Sequence, residues 1–378
     1  QTPNPKPQTP NPKPQKPKTA RNHFNSLKFK LNCNPRSFYN INLPMPHLFL
    51  VLLQLLPLTV LSSHMLIVVD YQNDFLPGGS MDALQQPKLS WGEDKIGQGI
   101  ATFIDGLHED DWLIYSQDFH PDDHISFKDT HIEMIKAEDS IDNADEWEET
   151  INKYLPMNPV KIYYDKSDWS VQGVWYPKLN EQNESEKEDG LFLQLGEDDQ
   201  DTLEANCEIL HQELWPKHCV PETEGIDYPD GLMEAINRFK AVNSRAINVH
   251  KASVQSMDAY SMILNNVKQD SSHLLDIINL IKPESIYLVG IAIDFCVFNT
   301  ANDIQMQLAA MKDSNDGYEP SIEIVHDLSR PIFEDKRAEA IAGVKERNDK
   351  LETIEWSSIA ATFPDLRGDS ERRRVVLI

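Results

Sequence analysis

From residue 65 onward the chain alternates short apolar runs with longer amphipathic stretches. Met65-Leu-Ile-Val-Val69, Trp112-Leu-Ile-Tyr-Ser116, Ala246-Ile-Asn-Val-His250, Ile286-Tyr-Leu-Val-Gly290 and Ser321-Ile-Glu-Ile-Val325 have strand length and are rich in β-branched residues. Between them Ile96, Ile100, Phe103, Ile104 and Leu107 recur at helical spacing. So do apolar positions in Leu232–Phe239, in Ser272–Ile281, and after Cys296 at Val297, Thr300, Ala301, Ile304 and Leu308. Strands alternating with helices imply a three-layer α/β/α domain around a mainly parallel sheet of about six strands. Asp327 and Pro331 are expected in the loop after the last of these strands, and a charged helical stretch closes the domain.

Two regions break this rhythm. Residues 1–18 repeat Gln-Thr-Pro-Asn-Pro-Lys-Pro and have almost nothing to bury, so they read as disordered or polyproline-like. The apolar run Leu48–Leu61 is shorter than a bilayer span and carries Gln54 and Pro57; with basic residues before it and Ser62-Ser63 after it, it looks like a secretory signal. Because Met65 opens a strand that needs nothing upstream, residues 1–64 are expected to be non-native or signal-like sequence and the folded domain to span 65–378. The second region, at about 129–212, is a polar insertion with acidic clusters at Asp142–Thr150, Glu181–Asp189 and Glu197–Asp201. Tyr163-Tyr164, Trp169 and Val174-Trp-Tyr176 interrupt it, which predicts islands of order packed on the main domain between solvated acidic runs. A tolerated surface insertion is the plain reading, and a lid or docking surface the functional one.

A formal charge of −26 argues against nucleic-acid or anionic-membrane partners, which require a basic surface. Four scattered cysteines, Cys33, Cys207, Cys219 and Cys296, are too few for a disulfide framework and suit a reducing compartment.

The chemistry-bearing residues collect at the C-terminal ends of the strands, where open α/β sheets place their sites. Asp70 is a carboxylate at the rim of a buried strand, where desolvation raises its pKa and makes it a usable base; a loop cap is the plainer role. In Gln117-Asp-Phe-His120, alternate side chains of an extended segment share a side, so Asp118 and His120 can meet one metal ion, with His218 of Trp215-Pro-Lys-His-Cys219 as a third ligand. Such residues are also common as surface polar groups. Lys251 ends its strand and, beside Asp70 and Cys296, would favour the anionic form of both. Cys296 stands where a strand hands over to a helix, and the helix N-terminus predicts a depressed thiol pKa; a small core residue is the alternative. Cys219 lacks that setting and is a weak rival nucleophile.

Val69-Asp-Tyr-Gln-Asn-Asp-Phe75, Asp118-Phe-His-Pro with His124-Ile-Ser-Phe127, Trp215-Pro-Lys-His-Cys219, the strand ending at Lys251, and Gly290-Ile-Ala-Ile-Asp-Phe-Cys-Val297 together resemble the isochorismatase-like cysteine hydrolases, in particular members acting on nicotinamide. The resemblance covers roughly residues 65–335 apart from the insertion. It implies a catalytic triad of Asp70, Lys251 and Cys296, metal ligands Asp118, His120 and His218 with His124 as a further ligand in some members, and aromatic walls Phe75 and Trp215. It also implies a non-proline cis peptide at Ile291–Ala292 and an oxyanion hole from the N–H groups of Ala292 and Cys296. The activity implied is hydrolysis of nicotinamide to nicotinate and ammonia through a cysteine thioester, feeding NAD salvage. One divalent metal ion is expected, zinc before iron or manganese. Ala252, where many members have Gly, and Phe295, often Tyr or His, depart from the pattern. The rivals are a relative acting on another small amide and a catalytically silent protein that docks partners through its acidic insertion; isochorismate hydrolysis fits less well, since those relatives lack the cysteine and the metal set. The resemblance is compatible with a homo-oligomer and with residence in the cytoplasm, nucleus or peroxisome; the C-terminal Val-Val-Leu-Ile is no Ser-Lys-Leu signal.

Overall fold

The computed structural model describes residues 63–81, 95–270, 272–360 and 362–363. The repeat at 1–18, the apolar run at 48–61 and the C-terminal tetrapeptide lie outside these residues. Among the described residues no helix is long and apolar enough to cross a membrane.

Among the described residues ten strands form two sheets: β1 (His64–Val69), β2 (Trp112–Asp118), β3 (Val160–Tyr164), β4 (Val171–Leu179), β5 (Ser185–Gln194), β6 (Glu208–Gln212), β7 (Ala246–Lys251), β8 (Ser285–Ile291), β9 (Ser321–Arg330) and β10 (Glu352–Ile354). The larger sheet has the order β10-β9-β8-β1-β2-β7, and every pairing in it is parallel. Central β1 pairs with β2 (Met65 opposite Trp112) and with β8 (Val69 opposite Gly290), which aligns the C-terminal ends of three strands. Gly290 sits at φ +118 so close to β1 that a Cβ would lie 2.0 Å from the Val69 carbonyl oxygen, so only glycine allows the two strands to run this near.

Alternate residues of β1 feed two cores. Leu66 and Val68 pack with Ile100, Phe103 and Ile236 of the helices Lys95–Gly106 and Asp230–Val242. Met65, Ile67 and Val69 face the opposite way, onto Leu274, Ile278, Val297, Ala301 and Ile304 of the helices Leu274–Ile281 and Cys296–Ala310. Strand period and helix period thus meet in the three-layer arrangement expected from the pattern. Two details differ. Strand β9 runs on to Arg330, so Asp327 lies within it and accepts from the Trp356 N–H (2.8 Å), and the short β10 was not foreseen.

The insertion is more ordered than islands between solvated runs. Strands β3 to β6 form an antiparallel sheet of order β5-β4-β3-β6, and the acidic stretch at 142–150 lies largely on the helix Ala144–Asn152. Trp147, Tyr154, Ile162, Tyr164, Val174 and Tyr176 form its core together with Ile125, Leu214 and Met257 from loops of the main sheet. Each such buried apolar side chain contributes about 1.5–3 kcal/mol relative to exposure. The acidic residues occupy the outer positions of elements whose inner positions are aromatic, which is why a composition-based reading underestimates the order.

Candidate active site

Strand ends bring the site together. Asp70 follows β1, Asp118 closes β2, Lys251 closes β7, and Cys296 opens the helix after β8. Lys251 is buried at their centre. Its Nζ lies 3.0 Å from Asp70 Oδ2 and 3.5 Å from Cys296 Sγ, donates to the Ala259 carbonyl (3.1 Å), and pairs with Asp118 Oδ1. Burial works to lower the Lys251 pKa, but the carboxylates of Asp118 and Asp70 outweigh it and keep the ammonium charged. Asp70 receives the Ser116 hydroxyl on Oδ1 (2.6 Å), whereas Oδ2 has no aligned hydrogen-bond donor. One carboxylate oxygen of Asp70, one of Asp118 and the Cys296 sulfur lie within 4.8 Å of one another. Burial pushes the Asp70 pKa up to about 6, against the opposing pull of Lys251 and with the help of the Asp118 charge. Asp70 also holds a left-handed backbone (φ 45), which a non-glycine residue keeps only where its surroundings enforce it.

The Cys296 pKa is raised, not depressed as its place at a helix N-terminus predicts. Burial pushes the thiol well up, Lys251 opposes this, and the nearby carboxylates of Asp70 and Asp118 add to it. The helix N-terminus does not compensate for loss of water and two anionic neighbours. In the resting site the sulfur therefore carries its proton. The peptide bond Ile291–Ala292 is cis. The Ala292 carbonyl accepts from the Phe295 and Val297 N–H groups (both 3.0 Å), while the N–H groups of Ala292 and Cys296 donate to no carbonyl of the described turn.

Asp118, His120 and His218 are all buried and offer ligand atoms within 4.8 Å of one another. His218 donates its Nδ1–H to the Pro216 carbonyl (2.7 Å), which leaves the Nε2 lone pair toward Asp118 Oδ2 at 4.0 Å. Burial, reinforced by His120, lowers the His218 pKa to about 4, so the imidazole is neutral. His120 Nδ1 is buried with no hydrogen-bond partner. A neutral imidazole, an orphaned ring nitrogen and a carboxylate converging on one point are the donor set a divalent ion takes, and the residues fit one. His124 is not brought into this group. It accepts from the Ser126 hydroxyl (2.8 Å) at Nδ1 and donates from Nε2 to the Met257 carbonyl (3.3 Å), and it groups instead with His120 and Asp258.

A cavity of about 30 Å³ connects these groups, with Phe75, Trp215, Ala292 and Cys296 in its wall beside the three metal-set residues. A larger surface groove of about 690 Å³, lined in part by Pro77, Gln98 and Pro229, contains no cysteine, histidine or lysine, so the chemistry belongs to the smaller space. Cys219 is fully buried, lines neither, and has its thiol pushed up by burial. Sequence reasoning missed Met81, Asp258, Tyr260 and Ile332 in the cavity wall, and Gln72. The Gln72 side chain accepts from the Asp118 N–H (2.8 Å) and donates to the Asp118 carbonyl (3.0 Å), fixing that residue at both ends. Only Gln72, inside the Asp-Tyr-Gln-Asn-Asp-Phe stretch, stood near a recognisable signal.

No family model matches the chain. It is 26% identical over 289 residues to a nicotinamidase of Saccharomyces cerevisiae, covering 74% of this chain and 93% of that protein. A nicotinamidase of Schizosaccharomyces pombe is 23% identical over 240 residues, 62% of this chain and 74% of the relative. The chain resembles the nicotinamidases of the isochorismatase-like family. Among solved structures, that of the yeast nicotinamidase aligns with 77% of this chain and 99% of its own at 21% identity and a TM-score of 0.48. An Acinetobacter nicotinamidase structure aligns with 79% and 98% at 20% identity and a TM-score of 0.46.

Proposed function

We propose that this protein is an amidohydrolase that converts nicotinamide to nicotinate and ammonia, with Cys296 as nucleophile. The observation that carries the reading is the buried Asp70–Lys251–Cys296 cluster, with a carboxylate oxygen lacking an aligned donor beside a protonated thiol. Asp70 takes the thiol proton as the sulfur attacks the carboxamide carbon, forming the C–S bond. That transfer neutralises Asp70 and moves its negative charge through the sulfur to the carboxamide oxygen. The free N–H groups of Ala292 and Cys296 receive the oxyanion, for which one donor is typically worth roughly 3–4 kcal/mol. Protonated Asp70 returns its proton to the departing ammonia, and ionised Asp70 then deprotonates the water that cleaves the thioester to nicotinate. Lys251 stays charged throughout and holds both anions in place.

Phe75 and Trp215 flank the cavity as walls for a flat pyridine ring. Asp118, His120 and His218 would hold one divalent ion, for which zinc is best matched by two imidazoles and a carboxylate, and iron or manganese also suit. When bound, such an ion supplies a Lewis acid that orients the ring nitrogen or a water molecule. On this reading the product feeds NAD salvage.

The test is ammonia release from nicotinamide by the purified protein supplied with zinc, beside Cys296→Ala and Cys219→Ala. Turnover that falls by roughly 10⁴-fold or more in Cys296→Ala and persists in Cys219→Ala is expected. A folded, metal-binding protein that releases no ammonia from nicotinamide sinks the substrate assignment.

A further inference from the structure

Asp74 lies one residue before the aromatic wall Phe75, and its side chain meets none of the reacting groups. It is nevertheless only 8% exposed and fully engaged. Its Oδ2 accepts the Cys219 N–H at 2.6 Å, and its Oδ1 accepts both the N–H (3.0 Å) and the hydroxyl (2.9 Å) of Ser80. Gly225 passes so close that a Cβ there would lie 2.0 Å from Asp74 Oδ2, so the loop behind the carboxylate is built to leave it room. Charge-assisted bonds of this kind are about twice as strong as neutral ones.

The bond to Cys219 is the one that matters for the site. Cys219 is in the left-handed region (φ 51), a conformation that a non-glycine residue keeps only where its surroundings hold it. It directly follows the metal-set residue His218, and its carbonyl accepts the N–H of the second one, His120, at 3.2 Å. A single residue therefore links the two histidines: the Asp74 carboxylate grips the N–H of Cys219, directly after His218, and the His120 N–H donates to the Cys219 carbonyl. If Cys219 relaxed to an ordinary backbone conformation, His218 would turn away and the hydrogen bond to His120 would be lost in the same motion.

We propose that Asp74 is a positioning residue for the metal centre, holding Cys219 left-handed so that His218 and His120 present their nitrogens to one ion. This rests on the reading of Asp118, His120 and His218 as its ligands. The wider geometry serves the same end, because Asp74 also accepts the Met81 N–H on its own carbonyl (3.0 Å) and so ties the cavity-wall loop to the ligand loop.

The experiment is competition for Zn²⁺ between the full-length protein and a chromogenic chelator, with thermal unfolding of each metal-free variant measured alongside. Asp74→Ala is expected to weaken zinc binding by about 10–100-fold, the usual size of an effect acting through a ligand's supporting partner, and Asp74→Asn by less. Adding Cys219→Gly to Asp74→Ala should recover part of the lost affinity, because glycine adopts the left-handed conformation without a carboxylate to hold it. A general loss of stability would not be rescued by removing a buried side chain. Should Asp74→Ala fail to fold, Ser80→Ala loosens the carboxylate by one bond and should weaken zinc several-fold. A folded Asp74→Ala, or failing that Ser80→Ala, that binds zinc as tightly as the wild type overturns the proposal, and absence of rescue by glycine overturns its conformational basis. A wild-type protein that binds no zinc overturns the metal reading itself, and the proposal falls with it.

Discussion

Among the described residues two lysines are buried, and they are kept there by opposite means. Lys251, on the main sheet, sits between the carboxylates of Asp70 and Asp118 and is held strongly charged. Lys128 begins the helix Lys128–Lys136 beside the second sheet, and among the described residues no carboxylate forms an ion pair with its ammonium. It donates to the carbonyls of Asn152 (3.2 Å) and Tyr154 (2.5 Å) at the end of the helix Ala144–Asn152, and burial lowers its pKa, with Asp129 opposing. Carbonyl dipoles at a helix C-terminus suit a cation that has only to stay in place. A pair of ionised partners costs more to bury, and it stands at the sheet edge where the proposed reaction would move protons. The polar core around Lys128 follows the same neutral plan: His131 donates from Nε2 to the Ile125 carbonyl (2.6 Å) and accepts the Tyr176 hydroxyl (2.8 Å) at Nδ1.

The sharpest way to break this comparison is to replace each lysine by methionine. Lys251→Met leaves Asp70 and Asp118 buried without a counter-charge, so ammonia release should fall by at least roughly 10³-fold and stability by about 3–5 kcal/mol in urea unfolding. Lys128→Met leaves only two carbonyls short of a donor; stability should drop by about 1–3 kcal/mol with turnover changed only a few-fold. Equal losses of activity in the two variants would erase the distinction between a functional and a structural cation.

The neutral plan of the second sheet is tested by pH. Burial lowers the His131 pKa to about 4 from its ordinary 6.5, with the Ile125 carbonyl opposing. The unfolded chain binds this proton more readily than the folded one, so the stabilisation is complete above about pH 6.5 and is lost as pH falls toward 4. The loss is on the order of 3 kcal/mol, and His131→Gln should flatten it. An unchanged slope between pH 4 and 6.5 in that variant would assign the acid sensitivity elsewhere.

The metal set sharpens the ionic side. Chelation should abolish ammonia release reversibly and lower the unfolding midpoint, since an ion at about 100 times its dissociation constant stabilises the folded state by about 2.7 kcal/mol. The smallest effect is expected at Ala252, whose φ of 53 is a glycine-favouring value directly after Lys251. Ala252→Gly should stabilise by roughly 1 kcal/mol or less without loss of turnover, because the strain relieved is partly offset by the greater freedom of the unfolded glycine.

The main sheet was legible because its strands and helices announce themselves by period, and the edge residues because they cluster just past apolar runs. Asp70, Lys251 and Cys296 are brought together by the structure, as are Asp118, His120 and His218. The second sheet was not legible, since β5 (Ser185–Gln194) begins with Ser-Glu-Lys-Glu-Asp-Gly and carries no strand-like apolar run until Leu191. Its residues become a strand only by pairing with β4, where Trp175 stands opposite Phe192. Tyr260 and Asp258 were equally invisible, because each lies in an irregular segment with no pattern to mark it.

What the sequence by itself determined is the order of elements, the two faces of the central strand, and which residue types stand at the sheet edge. Those are short-range properties, set by the spacing of side chains along the chain. Only the tertiary structure decided the state of those residues. The Cys296 thiol pKa, expected to be depressed by its helix, is raised instead, because burial and two neighbouring carboxylates act on it together. Desolvation and through-space charge depend on everything that packs around a group, and neither exists until distant strands have closed on one another.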